Sequence, residues 1–214
     1  MAVVVRGLRR GKGGRHRIEV VFEGGRVLTI AAQAAEGLRV GHHLTEAELA
    51  ELGRKDEVEN AHQRSLGLLA RRPRSESELR QAMRRRKVEE GVQVEVMERL
   101  RSAGWVDDAA FAAAWVENRA SFRPRSAVGL RAELRRKGVG RDEIEAALHE
   151  HDEAGAARAV LERAARRWKT QSWEEFRLRG RAFLARQGFA YDTVSRVVHD
   201  VWSGTPREES EASS

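Results

Sequence analysis

The sequence predicts a mainly α-helical chain: three tandem three-helix repeats in an elongated array, preceded by a small N-terminal β-hairpin or sheet segment. Three observations carry this. The stretch from Leu79 through Met83 to Val88 matches the stretch from Leu130 through Leu134 to Val139, and Gly180, Leu184 and Phe189 mark a weaker copy; the offsets are 51 and 50 residues. Each copy places apolar residues four apart, then a basic stop, then an apolar residue opening the next segment. Ser75 and Glu78 give a capping-box start ahead of the first stretch, and Ser126 a cap ahead of the second. The first thirty residues instead carry short β-branched runs split by glycine.

Residues 2–31 read as extended, with one run at Val3 and Val5, a second from Ile18 to Phe22 and a third from Val27 to Ile30. Gly24 and Gly25 supply the turn between the last two. Gly7 to Gly14 reads as a flexible basic loop carrying Arg9, Arg10 and Lys12. Thr45 and Glu48 have capping-box spacing and open a short helix expected to end near Gly53. From Asp56 the pattern is helical. Val58, Ala61, Leu68 and Leu69 give the first helix an apolar side that Pro73 terminates. Ser75 and Glu78 cap the next helix, and Val94, Met97 and Leu100 give the one after it a buried side. Asp107 or Asp108 caps a helix through Phe111, Trp115 and Val116. Ser126 then caps the counterpart of the second helix, and Ile144 and Leu148 mark the third. Val194 and Val198 stand at the same distances from Phe189 as Ile144 and Leu148 do from Val139.

The expected divisions are 1–55 for the β-rich segment with its short helix, then repeats at 56–105, 106–152 and 153–203, and a disordered tail at 204–214. A unit of about 50 residues buries too little surface to stand comfortably alone. Trp105, Trp115, Trp168, Trp173 and Trp202 are therefore expected to be packing anchors near the junctions.

The chain has 214 residues, 41% of them hydrophobic and 34% charged, with a net charge of +7 and a pI near 10.6. That balance points to an acidic partner. Residues 1–35 hold seven Lys/Arg against two Glu, 36–70 four against seven acids, and 71–104 ten against six. The electrostatic footprint is thus expected in the N-terminal half. There is no cysteine, so disulfide and thiolate chemistry are excluded and a cytoplasmic location is expected. No apolar run suits a signal peptide or a membrane span.

Catalytic chemistry finds little support. The run from Gly7 to Gly13 lacks the spacing of a phosphate loop and the Ser/Thr that would follow its Lys. His42 and His43 are adjacent and diverge. His149 and His151 stand two apart, about 200° round a helix, so only His149 and Glu153 have the i, i+4 spacing of a helix-borne metal pair. Neither an enzyme nor a metal or cofactor is expected.

The basic positions carry the functional expectation. Arg80, Arg131 and Arg181 occupy one repeat position. Arg80, Arg84 and Lys87 share a helix face, as do Arg131 and Arg135, and Arg177 and Arg181; Ala185 breaks the row in the third copy. With Arg85, Arg86, Arg136 and Lys137 these are the candidate polyanion contacts, and Arg9, Arg10 and Lys12 form a secondary basic group. Rows of guanidinium groups bridge phosphates or bind carboxylates; an ordinary solvated helix face has the same appearance. Nothing resembles an Asn/Gln-rich base-reading helix.

At Gly104, Trp105, Val106, Asp107 and Asp108, followed by Phe111, Ala112 and Trp115 to Arg119, the chain resembles the RecX family, regulators of the RecA recombinase. Leu130, Leu134, Lys137, Gly138 and Val139 continue that family's pattern. The resemblance spans residues 60–203. Residues 1–55, with Gly37, Leu38, Gly41 and Leu44, are similar to the family's longer members. Trp105 stands where tyrosine is more usual, and Gly180 takes the third anchor position. A monomer is expected, because an array of repeats needs no symmetric mate. The resemblance implies a non-catalytic protein that binds along the groove of the RecA–single-stranded-DNA filament. There it would damp filament growth, ATP hydrolysis, strand exchange and repressor cleavage. A stand-alone binder of duplex DNA, with the repeats used as helix-turn-helix modules, and a purely structural adaptor remain open alternatives.

Overall fold

A computed structural model describes residues 2–11, 16–168 and 172–204; Lys12 and all but Gly204 of the expected tail lie outside them. The described residues divide between Asp107 and Asp108 into two compact units.

The first unit opens with an antiparallel sheet. Its strands are β1 (Val3–Arg10), β2 (Arg17–Phe22), β3 (Val27–Ala31) and β4 (His43–Leu44), in the order β3-β2-β1-β4. A 3-10 turn at Glu23–Gly25 joins β2 to β3, and Gly24 and Gly25 both take positive φ there, at 81° and 82°. Val5, Val20, Phe22 and Ile30 are fully or almost fully buried and pack with Leu44 and Leu52. Arg9 and Arg10 do not lie in a flexible loop, contrary to the sequence reading. They belong to β1, opposite Glu19 and Ile18. The strand passes through a register shift between Val5 and Gly7 and stays paired with β2 as far as Arg10.

Thr45 forms the expected capping box with Glu48 at the start of α1 (Glu46–Leu69). The helix does not stop near Gly53; it continues for 24 residues. A lone glycine costs a helix only about 1 kcal/mol relative to alanine, and both halves of α1 bury side chains. Leu52 joins the sheet core, while Val58 and Ala61 join that of the next two helices. Arg17 fixes α1 to the sheet, with Nη1 donating to Asp56 Oδ1 at 3.1 Å and Asn60 Oδ1 at 2.8 Å, and Nη2 donating to the Thr29 carbonyl at 2.7 Å.

The helices α2 (Glu76–Arg85) and α3 (Glu90–Ser102) complete this unit around Leu79, Met83, Val92, Val96, Met97 and Leu100. Val94, expected on the buried side, is 50% exposed. The inward stripe runs Val92, Val96, Met97 and Leu100, and position 94 falls about 200° round from Val92 on the 3.6-residue period.

In the second unit, α4 (Asp108–Phe122), α5 (Ala127–Arg136) and α6 (Arg141–Leu148) enclose Phe111, Ala112, Leu130, Leu134 and Ile144. A further triplet, α7 (Glu153–Ala165), α8 (Trp173–Arg186) and α9 (Tyr191–Ser203), encloses Ala157, Leu161, Phe176, Leu184, Val194 and Val198. The two triplets are tied together. Ser126 Oγ, fully buried, accepts from Gly129 N at the start of α5 and donates to the Gln187 carbonyl after α8 at 2.8 Å. Glu153 accepts from Ala127 N, and the His151 ring contacts the Arg125 carbonyl.

Two details explain departures in the sequence pattern. The helix α8 has 14 residues where α2 and α5 have 10; it starts a turn earlier, at a Ser172 cap, and Phe176 fills the added turn. Gly180 then lies where a Cβ would come 3.2 Å from a Val198 methyl, so α8 and α9 approach too closely for the leucine of the other copies. Trp115, Trp168, Trp173 and Trp202 pack against their cores. Trp105 does not: it is 59% exposed, just beyond Gly104, whose φ of 71° turns the chain at the end of α3.

Candidate polyanion interface

The N-terminus of α2 is buried and held by its cap. The Ser75 hydroxyl accepts from Glu78 N, and the Glu78 carboxylate reaches back to Ser75 N. The helix thereby delivers its basic residues to its other end, where unsatisfied carbonyls carry partial negative charge and favour cations. Arg84, Arg85, Arg86 and Lys87 are all exposed. Among the described residues none of the four side chains makes a hydrogen bond or ion pair, so their donors face solvent. Four unpaired cations in succession make this the most concentrated free positive charge among the predicted positions.

Lys87 closes α2 in the left-handed region, at φ 58°, the one such non-glycine among the described residues. Its counterparts are Gly138 at 75° and Gly188 at 82°. The first copy therefore keeps a cation at a position where the other two relieve strain with glycine.

The shared arginine position behaves differently. Arg80 is half-buried and donates to Glu76 at 2.8 Å, a carboxylate also held by Arg101 at 2.9 and 3.1 Å. The Arg101 hydrogen bonds, opposed by partial burial and aided by Arg80, hold the Glu76 carboxyl below its ordinary value. Arg131 forms a two-pronged pair with Glu145 of α6, at 2.7 and 2.8 Å. Arg181 donates to Ser195 of α9 at 2.7 Å and lies over the Tyr191 ring. In the second and third copies this arginine joins two helices, whereas in the first it braces Glu76 on its own helix and Arg101 of α3 makes the link; the sequence could not separate these roles from a phosphate contact.

The remaining positions are mixed. Arg135 is exposed with no side-chain partner among the described residues, and Arg136 donates to the Ala132 carbonyl at 3.3 Å. Lys137 lies over the Trp115 ring at 4.2 Å. Arg177 pairs loosely with Glu174 at 3.9 Å. Arg9 is taken by Glu19 at 2.7 Å, whereas Arg10 is exposed. His151 and Glu153 are engaged with the turn before α5, as described above.

Sequence reasoning missed two features. Arg64, exposed on α1, lines with Arg86 a small opening between α1 and α2. In the second unit Trp115 sits at the centre of a cluster: its indole N–H donates to Glu133 at 2.9 Å, Arg119 lies over its ring at 4.3 Å, and Arg119 Nε also donates to Glu133 at 2.8 Å. Burial pushes the Glu133 carboxyl up, but these donors outweigh it and hold the group below its ordinary value. Superposing the repeats on their common Arg-Pro-Arg-Ser segment would have aligned Arg64 with Trp115.

Among the described residues, no helix is long and apolar enough to cross a membrane, and no three His, Cys, Asp or Glu side chains gather as a metal site.

Comparison with known proteins agrees with this architecture. Models of the RecX first, second and third three-helix domains match residues 61–100, 107–148 and 151–198. "Regulatory protein RecX" of Geobacillus kaustophilus is 34% identical over 178 residues, covering 82% of this chain and 66% of that protein. This chain thus spans just under two thirds of that relative. The Thermobifida fusca protein of the same name is 39% identical over 140 residues, covering 63% of this chain and 75% of the relative. A crystal structure of regulatory protein RecX superposes with a TM-score of 0.77 at 22% identity, covering 95% of this chain and all of that one. The RecX structure from Lactobacillus salivarius gives 0.64 at 18% identity over 69% of this chain and 98% of that one, so both show likeness of fold. With its three helical triplets each matched in order and its relatives above 30% identity, the chain belongs to the RecX family.

Proposed function

We propose that the chain regulates the RecA recombinase by binding the RecA–single-stranded-DNA filament and damping its ATP hydrolysis, strand exchange and coprotease activity, without catalysis of its own. Family membership supports the partner. The observation that carries the mode of binding is the free run Arg84, Arg85, Arg86 and Lys87 at the carboxyl end of α2. A filament is long, polyanionic and repetitive. Helical repeats at 56–105, 106–152 and 153–203 provide successive modules for it, so that weak contacts add by avidity. Arg10 and Arg135 are secondary contacts. Arg80, Arg131 and Arg181 act instead through the packing of their own triplets.

The test is RecA's single-strand-dependent ATPase with increasing amounts of the protein. Hydrolysis is expected to fall as the protein approaches equimolarity with RecA, and an unchanged rate in excess protein overturns the reading. Arg84→Glu with Arg85→Glu is expected to weaken filament binding at least fivefold, with a shallower salt dependence by about 0.7 of a log unit per lost single-strand phosphate contact. Undiminished affinity removes this face. Tight binding to duplex alone, unaffected by RecA, would favour a stand-alone DNA binder.

A further inference from the structure

The first unit carries a slot of about 20 Å³, open to solvent, between α1 and α2. Its floor is apolar, formed by Ala61, Leu68, Met83 and Val88, with Ala82 on one wall. The one hydroxyl there, on Ser65, is spent on the Ala61 carbonyl at 2.8 Å. Arg64 and Arg86 stand at the rim, both exposed and neither paired through its side chain among the described residues.

The matching places in the other copies bear on what the slot would take. Arg72, Pro73, Arg74 and Ser75 repeat as Arg123, Pro124, Arg125 and Ser126. In that register Arg64 corresponds to Trp115, Leu68 to Arg119, Ala82 to Glu133 and Arg86 to Lys137. At the place of Arg64 the second unit therefore carries an indole. That ring is covered by the cations of Arg119 and Lys137, and its N–H is held by the Glu133 carboxylate. In the third copy the residue matching Ala82 is Phe183, against which Trp168 packs edge-on at 5.8 Å. Each of these two copies thus has an aromatic side chain at one of the two positions that flank the slot in the first. The first has an alanine, an arginine and an opening.

We infer that the slot of the first unit is a docking site for an acidic protein segment bearing one large apolar side chain. That side chain would take the place that Trp115 fills in the second unit, and the flanking carboxylates would meet Arg64 and Arg86, with Arg84, Arg85 and Lys87 close by in sequence. Charge complementarity fixes the sign of the partner, and the internal copy fixes the form of its anchor. A nucleobase is the poorer occupant: single-strand sites stack bases on aromatic rings, and this lining contains none. Peptide docking shares Arg86 with the proposed filament contact, but the two are distinguishable because peptide affinity and ATPase damping are measured separately.

The probe is an N-acetylated, fluorescein-labelled peptide of sequence DEEWEDE, titrated with the full chain and followed by anisotropy. A companion peptide with serine in place of tryptophan measures charge alone, and a labelled 15-mer of deoxythymidine measures nucleic-acid binding. Two variants bring the aromatic residues of the other copies to the slot, Ala82→Phe from α2 and Arg64→Trp from α1. The tryptophan peptide is expected to bind at least tenfold more tightly than the serine peptide. Each variant is expected to lose at least tenfold in peptide affinity, and Ala82→Phe, which removes no cation, to change oligonucleotide affinity less than twofold. Equal binding of the two peptides, or wild-type peptide binding by both variants, overturns the proposal. Parallel loss of the oligonucleotide by Ala82→Phe overturns it in favour of a base-binding slot. In the wild-type chain, methyl carbon shifts of Ala61 and Ala82 on peptide addition test the location without any substitution; unmoved methyls at saturating peptide refute it.

Discussion

Lys87 combines two opposed demands in one residue. Its φ of 58° places a Cβ where L-residues suffer contact with the following carbonyl, at a cost of about 1–2 kcal/mol. Glycine at the matching positions 138 and 188 avoids that contact. Lys87→Gly is therefore expected to raise stability by about 1 kcal/mol, measured by urea denaturation, and to weaken filament binding in the same variant. A gain in both would detach the strain from the proposed interface. The sequence shows the lysine-for-glycine exchange directly but not its backbone angle, because only the Schellman-like turn after α2, with Val88 N bonded to the Met83 carbonyl, forces the left-handed region. At this scale the cap residues Thr45, Ser75 and Ser126 are legible, since each needs only its neighbours three residues on. The fate of Arg131 and Arg181 is not, because Glu145 and Ser195 come from other helices; Arg80 pairs with Glu76 at i, i+4 on its own helix.

At the scale of elements, hydrophobic spacing identified nearly every helix, and its failures have physical causes. Gly53 reads as a stop only when the two faces of α1 are not known to be buried. Gly180 in place of leucine reflects how closely α8 approaches α9, a distance between helices that no local pattern encodes. Glu133 shows how one carboxylate organises a triplet, joining α5 to Trp115 and Arg119 of α4. Its folded-state pKa lies below the ordinary 4.5. Its contribution is therefore present above the unfolded value and is lost as pH falls from about 4.5 through the lower folded value. Thermal midpoints measured from pH 6 to pH 3 are expected to fall below pH 4.5, with a shallower fall in Glu133→Gln. That variant should also be less stable at pH 7 by about 1–3 kcal/mol, through weakened hydrogen bonding to Arg119 and Trp115. Identical acid profiles for the two proteins would show that the cluster does not contribute.

For the molecule as a whole, the repeat offset reveals three helical triplets, and composition reveals a basic chain with a β-rich beginning. The sequence does not show that the sheet and first triplet form one compact unit and the last two triplets another. That grouping rests on contacts distant in sequence, such as Arg17 with Asp56 and Asn60, and Ser126 with Gln187. Residues 1–107 and 108–214, expressed separately, are each expected to keep a helical circular dichroism spectrum and a cooperative melt, since each encloses its own apolar clusters. A fragment that melts without cooperativity would show that its clusters are insufficient alone.

The buried Ser126 hydroxyl serves two helices at once, as N-cap of α5 and as donor to the turn that follows α8. Fraying at either place withdraws a partner from the other, so amide protons at Gly129 and beyond the Gln187 turn should exchange with deuterium at linked rates. A change in the last triplet would then register as loosening in the middle one.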